Sequence, residues 1–277
     1  KTGLVPSLII TPPDKKKGRG LAVQSCAVKT WALSNKIETL QPENLDSAFC
    51  TKLRATGYGL DLGIVVDYGK ILSREVLDIP KRGFLNVHPS LLPRLRGPSP
   101  IRSAILNDEK ETGVSILVVD EEMDRGPIVA QKQVRPPAGG WPPHLSELET
   151  ILMREGGRLL AQILPQWVAG EIDAREQNHD IATYCEKMEK EDGLLDLSGD
   201  AYKNILKIRA YEGWPGTYAF FERPSTNSGQ ATKKIRVAIL DAHIDPAGGR
   251  LIIDRVKPEG KREMTYADFL RSGARPA

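Results

Sequence analysis

Residues 60–87 read LDLGIVVDYGKILSREVLDIPKRGFLNV, and the fold is decided there. Leu60–Val66 is a short continuous apolar run, the pattern of a buried strand, and Gly83–Val87 repeats it. Leu72–Leu77 between them predicts a helical turn. Strand, helix, strand is the βαβ unit from which parallel sheets are built. Upstream, Leu4–Thr11 is an apolar strand run ended by Pro12 and Pro13. A helix is predicted over Val23–Asn35, a strand over Ile37–Leu40 and a helix over Leu45–Thr56. Downstream come a helix over Pro100–Asn107, strands over Val114–Val119 and Ile128–Val134, and a long helix over His144–Ala169. Residues 1–170 therefore predict an α/β domain with a doubly wound, mostly parallel, Rossmann-like sheet, whose ligands settle at the carboxyl ends of strands.

Residues 171–184 are polar and turn-rich and are expected to be a linker. Beyond them a helix over Ala201–Ala210 precedes alternating strands at Gly216–Glu222, Lys233–Ala242 and Arg250–Val256, which predict a small β-rich domain, an OB-like barrel, over 185–277. Charge divides along the same line. Residues 201–277 hold 14 Lys/Arg against 8 Asp/Glu, while the first 200 hold 25 against 28. A basic end suits a polyanionic partner.

With 277 residues, 40% hydrophobic and 27% charged, the composition is that of a globular protein. No apolar run approaches the roughly 18–20 residues of a membrane helix, and Lys1-Thr2-Gly3 does not open a secretory signal, so a cytoplasmic, membrane-free setting is expected. Cys26, Cys50 and Cys185 are scattered, with no C-x-x-C pair, which argues against a disulfide framework or zinc site and predicts buried thiols; no metal is expected.

The chemistry concentrates in Asn86-Val87-His88-Pro89-Ser90-Leu91-Leu92-Pro93. On a strand, residues two apart share a face, so Asn86 and His88 project together, and the prolines are expected to keep the following loop extended. Asp124 lies 36 residues beyond His88, in an acidic loop after Thr112-Gly113-Val114, and can return to the same cleft. A carboxylate beside an imidazole fixes its tautomer and favours the imidazolium, while an amide N–H can stabilise a developing oxyanion. Ser90 and Ser99 lie outside any G-x-S-x-G elbow, so the set suits transfer to a nucleophile brought by the substrate. Taken alone, Asn86 and His88 read as easily as a turn cap and a satisfied, partly buried histidine.

Asn-x-His-Pro-Ser-Leu-Leu-Pro-x-x-x-Gly, then Thr-Gly-Val and Asp-x-Gly-Pro-Ile, resembles the catalytic core of the folate-dependent formyltransferases. Further features choose among the relatives: the loop Asp14-Lys15-Lys16-Lys17-Gly18-Arg19-Gly20, Leu40-Gln41-Pro42-Glu43, Trp214-Pro215-Gly216-Thr217-Tyr218 and the run from Lys257 to Met264. All are similar to the methionyl-tRNA formyltransferase family. The resemblance implies transfer of formyl from N10-formyltetrahydrofolate, a co-substrate, to the amino group of methionyl-initiator tRNA, with Asn86, His88 and Asp124 catalytic. Folate is then expected along Val65, Val66, Asp67 and Tyr68, Ser90, Leu91, Leu92 and Pro93, and Val118 and Asp120. The tRNA is expected at Lys15, Lys16, Lys17 and Arg19 and at Lys257, Lys261 and Arg262, and the protein is expected to be a monomer. Against the family pattern, an opening strand and helix with a Gly-Thr-Pro turn find no counterpart in this sequence, which is expected to be incomplete at that end, and the barrel is expected to be shortened between Leu240 and Leu251. Two other readings stand beside this one. A formyltransferase for another amine, such as an amino sugar, would need neither the Lys15–Arg19 loop nor the basic end; an inactive RNA-binding relative would transfer no formyl group.

Overall fold

The computed structural model describes residues 4–17, 22–224 and 232–276. Strand β1 (Leu8–Ile10) is followed by a hairpin of β2 (Lys15–Lys17) and β3 (Ala22–Gln24), then α1 (Ala27–Ser34), β4 (Glu38–Leu40) and α2 (Ser47–Ala55). Next come β5 (Gly63–Val65), α3 (Arg74–Leu77), β6 (Phe84–His88), α4 (Pro100–Leu106), β7 (Thr112–Val118), β8 (Ile128–Val134) and α5 (Leu145–Ala169). The helix predicted from Val23 starts only at Ala27, where Cys26 caps it. Val23 instead pairs with Lys16 in the hairpin, because cross-strand hydrogen bonds override a helical spacing that only a few apolar residues supported.

The chain divides into two compact units. One comprises the residues through His88, Val114–Lys132 and Glu155–Ile181; the other comprises Pro89–Gly113, Gln133–Arg154 and everything from Ala182. In the first, β1 pairs parallel with β4, and a four-stranded sheet runs β5-β6-β7-β8. That sheet is mixed rather than mostly parallel, since β5 and β6 are parallel but β6 and β7 antiparallel. Only nine residues join β7 to β8, too few for a parallel crossover of about a dozen residues or more. Ile116 and Leu117 are buried, as is Leu85 beside them, so the sheet centre reads as the apolar run it is. Gly156 of α5 lets that helix approach closely: a Cβ there would lie 2.7 Å from a methyl of Val87. A satellite core of Cys50, Leu72, Val76 and Leu77 packs with Val65, Tyr68 and Phe84. Cys50 and Cys185 are buried and Cys26 is half-buried, none of them in a disulfide.

In the second unit α6 (Ala201–Ala210) is capped by Asp200, whose carboxylate accepts from the Lys203 amide. It is followed by β9 (Thr217–Pro224), β10 (Thr232–Ile244), β11 (Leu251–Pro258), β12 (Met264–Thr265), α7 (Tyr266–Leu270) and β13 (Arg275–Pro276). The sheet order is β12-β11-β10-β9-β13 and the pairs are antiparallel. No pairing among the described residues closes it into a barrel. Its inner face presents Phe221, Val237, Ile239 and Val256, all buried, with Phe269 of α7 edge-on to Phe221 at 5.1 Å. Leu240 has no partner on β11, so β10 bulges there and twists before the turn at 245–250.

Candidate active site

Strand β6 is hydrogen-bonded on both edges: Asn86 lies opposite Val65 on β5 and Leu117 on β7, and His88 lies opposite Ser115. The alternation of the strand sends Leu85 and Val87 to one face and Asn86 and His88 to the other. Ser115, itself fully buried, accepts from Gln131 Nε2 at 2.9 Å.

Because β7 is antiparallel to β6, the chain leaves it at Val118, level with Leu85, and must fold back to reach Asn86. Two backbone features accomplish this. Asp124 adopts φ 56°, a left-handed conformation that Asp tolerates better than most residues. Gly126 sits so close to the chain that a Cβ would meet the Val118 carbonyl oxygen at 1.9 Å, so no side chain fits. The Val118 amide then donates to the Pro127 carbonyl at 2.9 Å and closes the loop.

The result is a polar cluster in which His88 is buried and Asn86 and Asp124 are half-buried. Asn86 Nδ2 donates to Asp124 Oδ1 at 3.2 Å, and His88 Nδ1 lies 3.6 Å from Asp124 Oδ2. The second distance is longer than a hydrogen bond. The His88 and Asp124 side chains are only 5% and 11% exposed, so their interaction is little screened by water. Placed together, these groups can hold a hydrogen bond to a developing negative charge and exchange a proton with a neighbour.

The other residues singled out from the sequence distribute as follows. Val65 ends β5 beside Asn86, and Val66 and Asp67 follow it, exposed, with Asp67 at φ 48°. Tyr68 packs on the satellite core, and burial raises its hydroxyl pKa. Val118 ends β7, and the exposed Asp120 accepts from the Glu122 amide at 2.9 Å. Ser90, Leu91, Leu92 and Pro93 belong to the second unit. There the loop is a compact turn, not the extended segment expected from its prolines: Ser90 Oγ donates to the Arg94 carbonyl at 2.6 Å and the Arg94 amide to the Leu91 carbonyl at 3.1 Å. Lys15, Lys16 and Lys17 form strand β2 rather than loop, and Arg19 lies outside the described residues. Lys257, Lys261 and Arg262 are exposed on β11 and the turn after it.

Two residues escaped the sequence reading. Arg96 is completely buried in the second unit, its Nη1 3.1 Å from the Tyr184 hydroxyl and its backbone bonded to Thr183 and Cys185. Gly97 beside it leaves room for the Cys185 carbonyl, which a Cβ would meet at 2.4 Å. The second is Gln177, 5% exposed, whose Nε2 donates to the carbonyls of Asp124 and Gly126. Its only signal in the sequence was its place in a polar stretch. Among the described residues no group of three or more His, Cys, Asp or Glu is placed to hold a metal, and no helix is long and apolar enough to cross a membrane.

The model of the formyl transferase family matches residues 4–137, the stretch that contains Asn86, His88 and Asp124. Relatives extend the match over most of the chain. A methionyl-tRNA formyltransferase of Chloroflexus aurantiacus is 40% identical over 235 residues, 84% of this chain and 72% of that protein. One from Myxococcus xanthus is 36% identical over 273 residues, 95% and 86% of the two. The chain belongs to the methionyl-tRNA formyltransferase family. Its fold is similar to that of a methionyl-tRNA formyltransferase from Clostridium thermocellum (TM-score 0.57, 18% identity, 91% of this chain and 97% of that one). It is similar also to HypX from Aquifex aeolicus, solved with tetrahydrofolic acid (TM-score 0.61, 17% identity, 95% and 46%).

Proposed function

We propose that the protein transfers the formyl group of N10-formyltetrahydrofolate to the α-amino group of methionyl-initiator tRNA. The observation that carries the reading is the Asn86–His88–Asp124 cluster in a chain 40% identical to a methionyl-tRNA formyltransferase. The amine nitrogen attacks the formyl carbon, the oxygen takes up negative charge, the carbon–N10 bond breaks, and the proton released by the amine ends on N10. Asn86 Nδ2 carries two N–H groups; one meets Asp124, and the other is offered to the oxyanion. Protonated His88 stabilises the same charge or delivers the proton, and Asp124 orients the ring.

Folate lies along Val65–Tyr68, Ser90–Pro93, Val118 and Asp120 in this reading, and the tRNA meets the Lys15–Arg19 segment and Lys257, Lys261 and Arg262. Residues 1–170 act as the catalytic domain, of doubly wound, Rossmann-like type, and 185–277 as an OB-like tRNA-binding domain. Parallel pairing of β1 with β4 and of β5 with β6 supports the first assignment, and the exposed basic residues on an antiparallel sheet support the second. The protein works as a cytoplasmic monomer. Incubation with N10-formyltetrahydrofolate and methionyl-initiator tRNA is expected to yield formylmethionyl-tRNA and tetrahydrofolate. Formylation of another amine, such as an amino sugar, in its place would select the other-amine reading, and no formyl transfer at all would leave an RNA-binding relative.

A further inference from the structure

We infer that Gln177, which follows the long helix in the chain, is a positioning residue for Asp124; this rests on the catalytic reading of that carboxylate. The residue lies 53 positions beyond Asp124. Its side chain is buried, and Nε2 donates to the Asp124 carbonyl at 2.9 Å and to the Gly126 carbonyl at 2.7 Å. One amide nitrogen thus spends both N–H groups on carbonyls that flank Arg125, inside the loop that must hold Asp124 at φ 56°. A left-handed non-glycine residue persists only where surrounding contacts over-determine it. The backbone beside Gln177 is anchored as well: Arg175 and Ile128 exchange hydrogen bonds, Ile128 N to Arg175 O at 2.7 Å and Arg175 N to Ile128 O at 2.8 Å. The latch is therefore held to the first residue of β8, just past the loop it grips.

The chemistry explains why glutamine stands there. Two carbonyl oxygens ask for two donors from one atom, which an amide NH2 supplies. A carboxylate in the same place would turn negative charge on both oxygens, and burial would favour its protonated form, which returns one donor. Alanine supplies none and leaves two desolvated acceptors.

The test compares Gln177→Ala and Gln177→Glu with wild type in the full chain. For Gln177→Ala, kcat is expected to fall about 10- to 100-fold, the effect of a catalytic group displaced by roughly an ångström, with KM for both substrates little changed. For Gln177→Glu, the ratio of kcat to wild type is expected to rise as pH is lowered from about 8 to about 6, whereas the alanine ratio stays flat. Hydrogen–deuterium exchange of segment 119–127 is expected to quicken in Gln177→Ala, and this readout stands even if wild type transfers no formyl group. Wild-type kcat in Gln177→Ala, unchanged exchange in that segment, or a loss shared by kcat, both KM values and Tm without recovery of Gln177→Glu at low pH would each overturn the inference.

Discussion

In the proposed function the polar cluster on β6 and the basic residues on β11 have opposite tasks. His88 is buried and Asn86 and Asp124 are half-buried, in contact with one another on a strand paired along both edges and a loop closed by the Val118–Pro127 hydrogen bond. Lys257, Lys261 and Arg262 stand exposed on an edge-side strand and its turn. A site that makes and breaks bonds must hold atoms within about half an ångström, which requires burial and redundant hydrogen bonds. A surface that gathers a polyanion works by summed charge and counterion release, which tolerates loose geometry. The first should fail when one side chain is removed; the second should weaken in steps.

The sharpest break in that contrast is expected at the cluster. His88→Ala and Asp124→Ala should each lower kcat for formyl transfer by about 10²–10⁴-fold, as removal of acid–base and electrostatic groups does, with Tm little changed. Steady-state kinetics with near wild-type turnover in either variant would remove the assignment. Next in size is Arg19. A guanidinium between two glycines can grip a phosphate in fixed geometry where lysine gives undirected attraction. Arg19→Ala should raise KM for methionyl-tRNA about 10-fold or more, and Arg19→Lys should restore part of it. Equal small effects from alanine at Lys15, Lys16, Lys17 and Arg19 would show a solvated basic segment instead.

Smaller again is the triple change of Lys257, Lys261 and Arg262 to alanine. Affinity for methionyl-tRNA should fall, and the slope of log affinity against log salt should flatten by roughly 0.7–0.9 for each phosphate that is no longer neutralised, with KM for the folate unchanged. An unaltered salt slope would put the tRNA elsewhere. The smallest effect concerns Asp14 at the foot of the β2–β3 hairpin. Its carboxylate is held below its ordinary value of 3.8, first by a hydrogen bond from Lys29 and then by Gln41. A depressed folded-state pKa means that the contribution is present at neutral pH and disappears as pH drops below about 3.8. Protection of the Lys15–Lys17 amides, corrected for the intrinsic exchange rate at each pH, should therefore fall on acidification in wild type and depend less on pH in Asp14→Asn.

Local patterns carried most of the elements. Ile128–Val134 and Ala201–Ala210 form with the bounds their periodicity predicts, since each rests on its own residues. The hairpin at Val23 was hidden because its partner Lys16 lies across a turn that helical spacing does not register. The mixed sheet was hidden because a strand's apolar run is blind to its neighbour's direction. At the cluster, the alternation of Asn86 and His88 was legible from the strand and the return of Asp124 from the acidic loop after β7, while the catalytic roles of the three came from the family resemblance. Gln177 and Arg96 were not, since their meaning depends on carbonyls and a tyrosine 51 to 88 residues away.

In the proposed division of labour the cluster transfers and the basic surface binds. The direct measurement is single-turnover formylation with enzyme and both substrates at saturation, comparing wild type, Asp124→Asn and the triple basic-residue variant. The account predicts that Asp124→Asn remains slower by about 10²-fold or more at saturation, while the triple variant, once saturated, transfers at the wild-type rate. A saturated Asp124→Asn enzyme at full speed, or a triple variant slowed as severely, would contradict it.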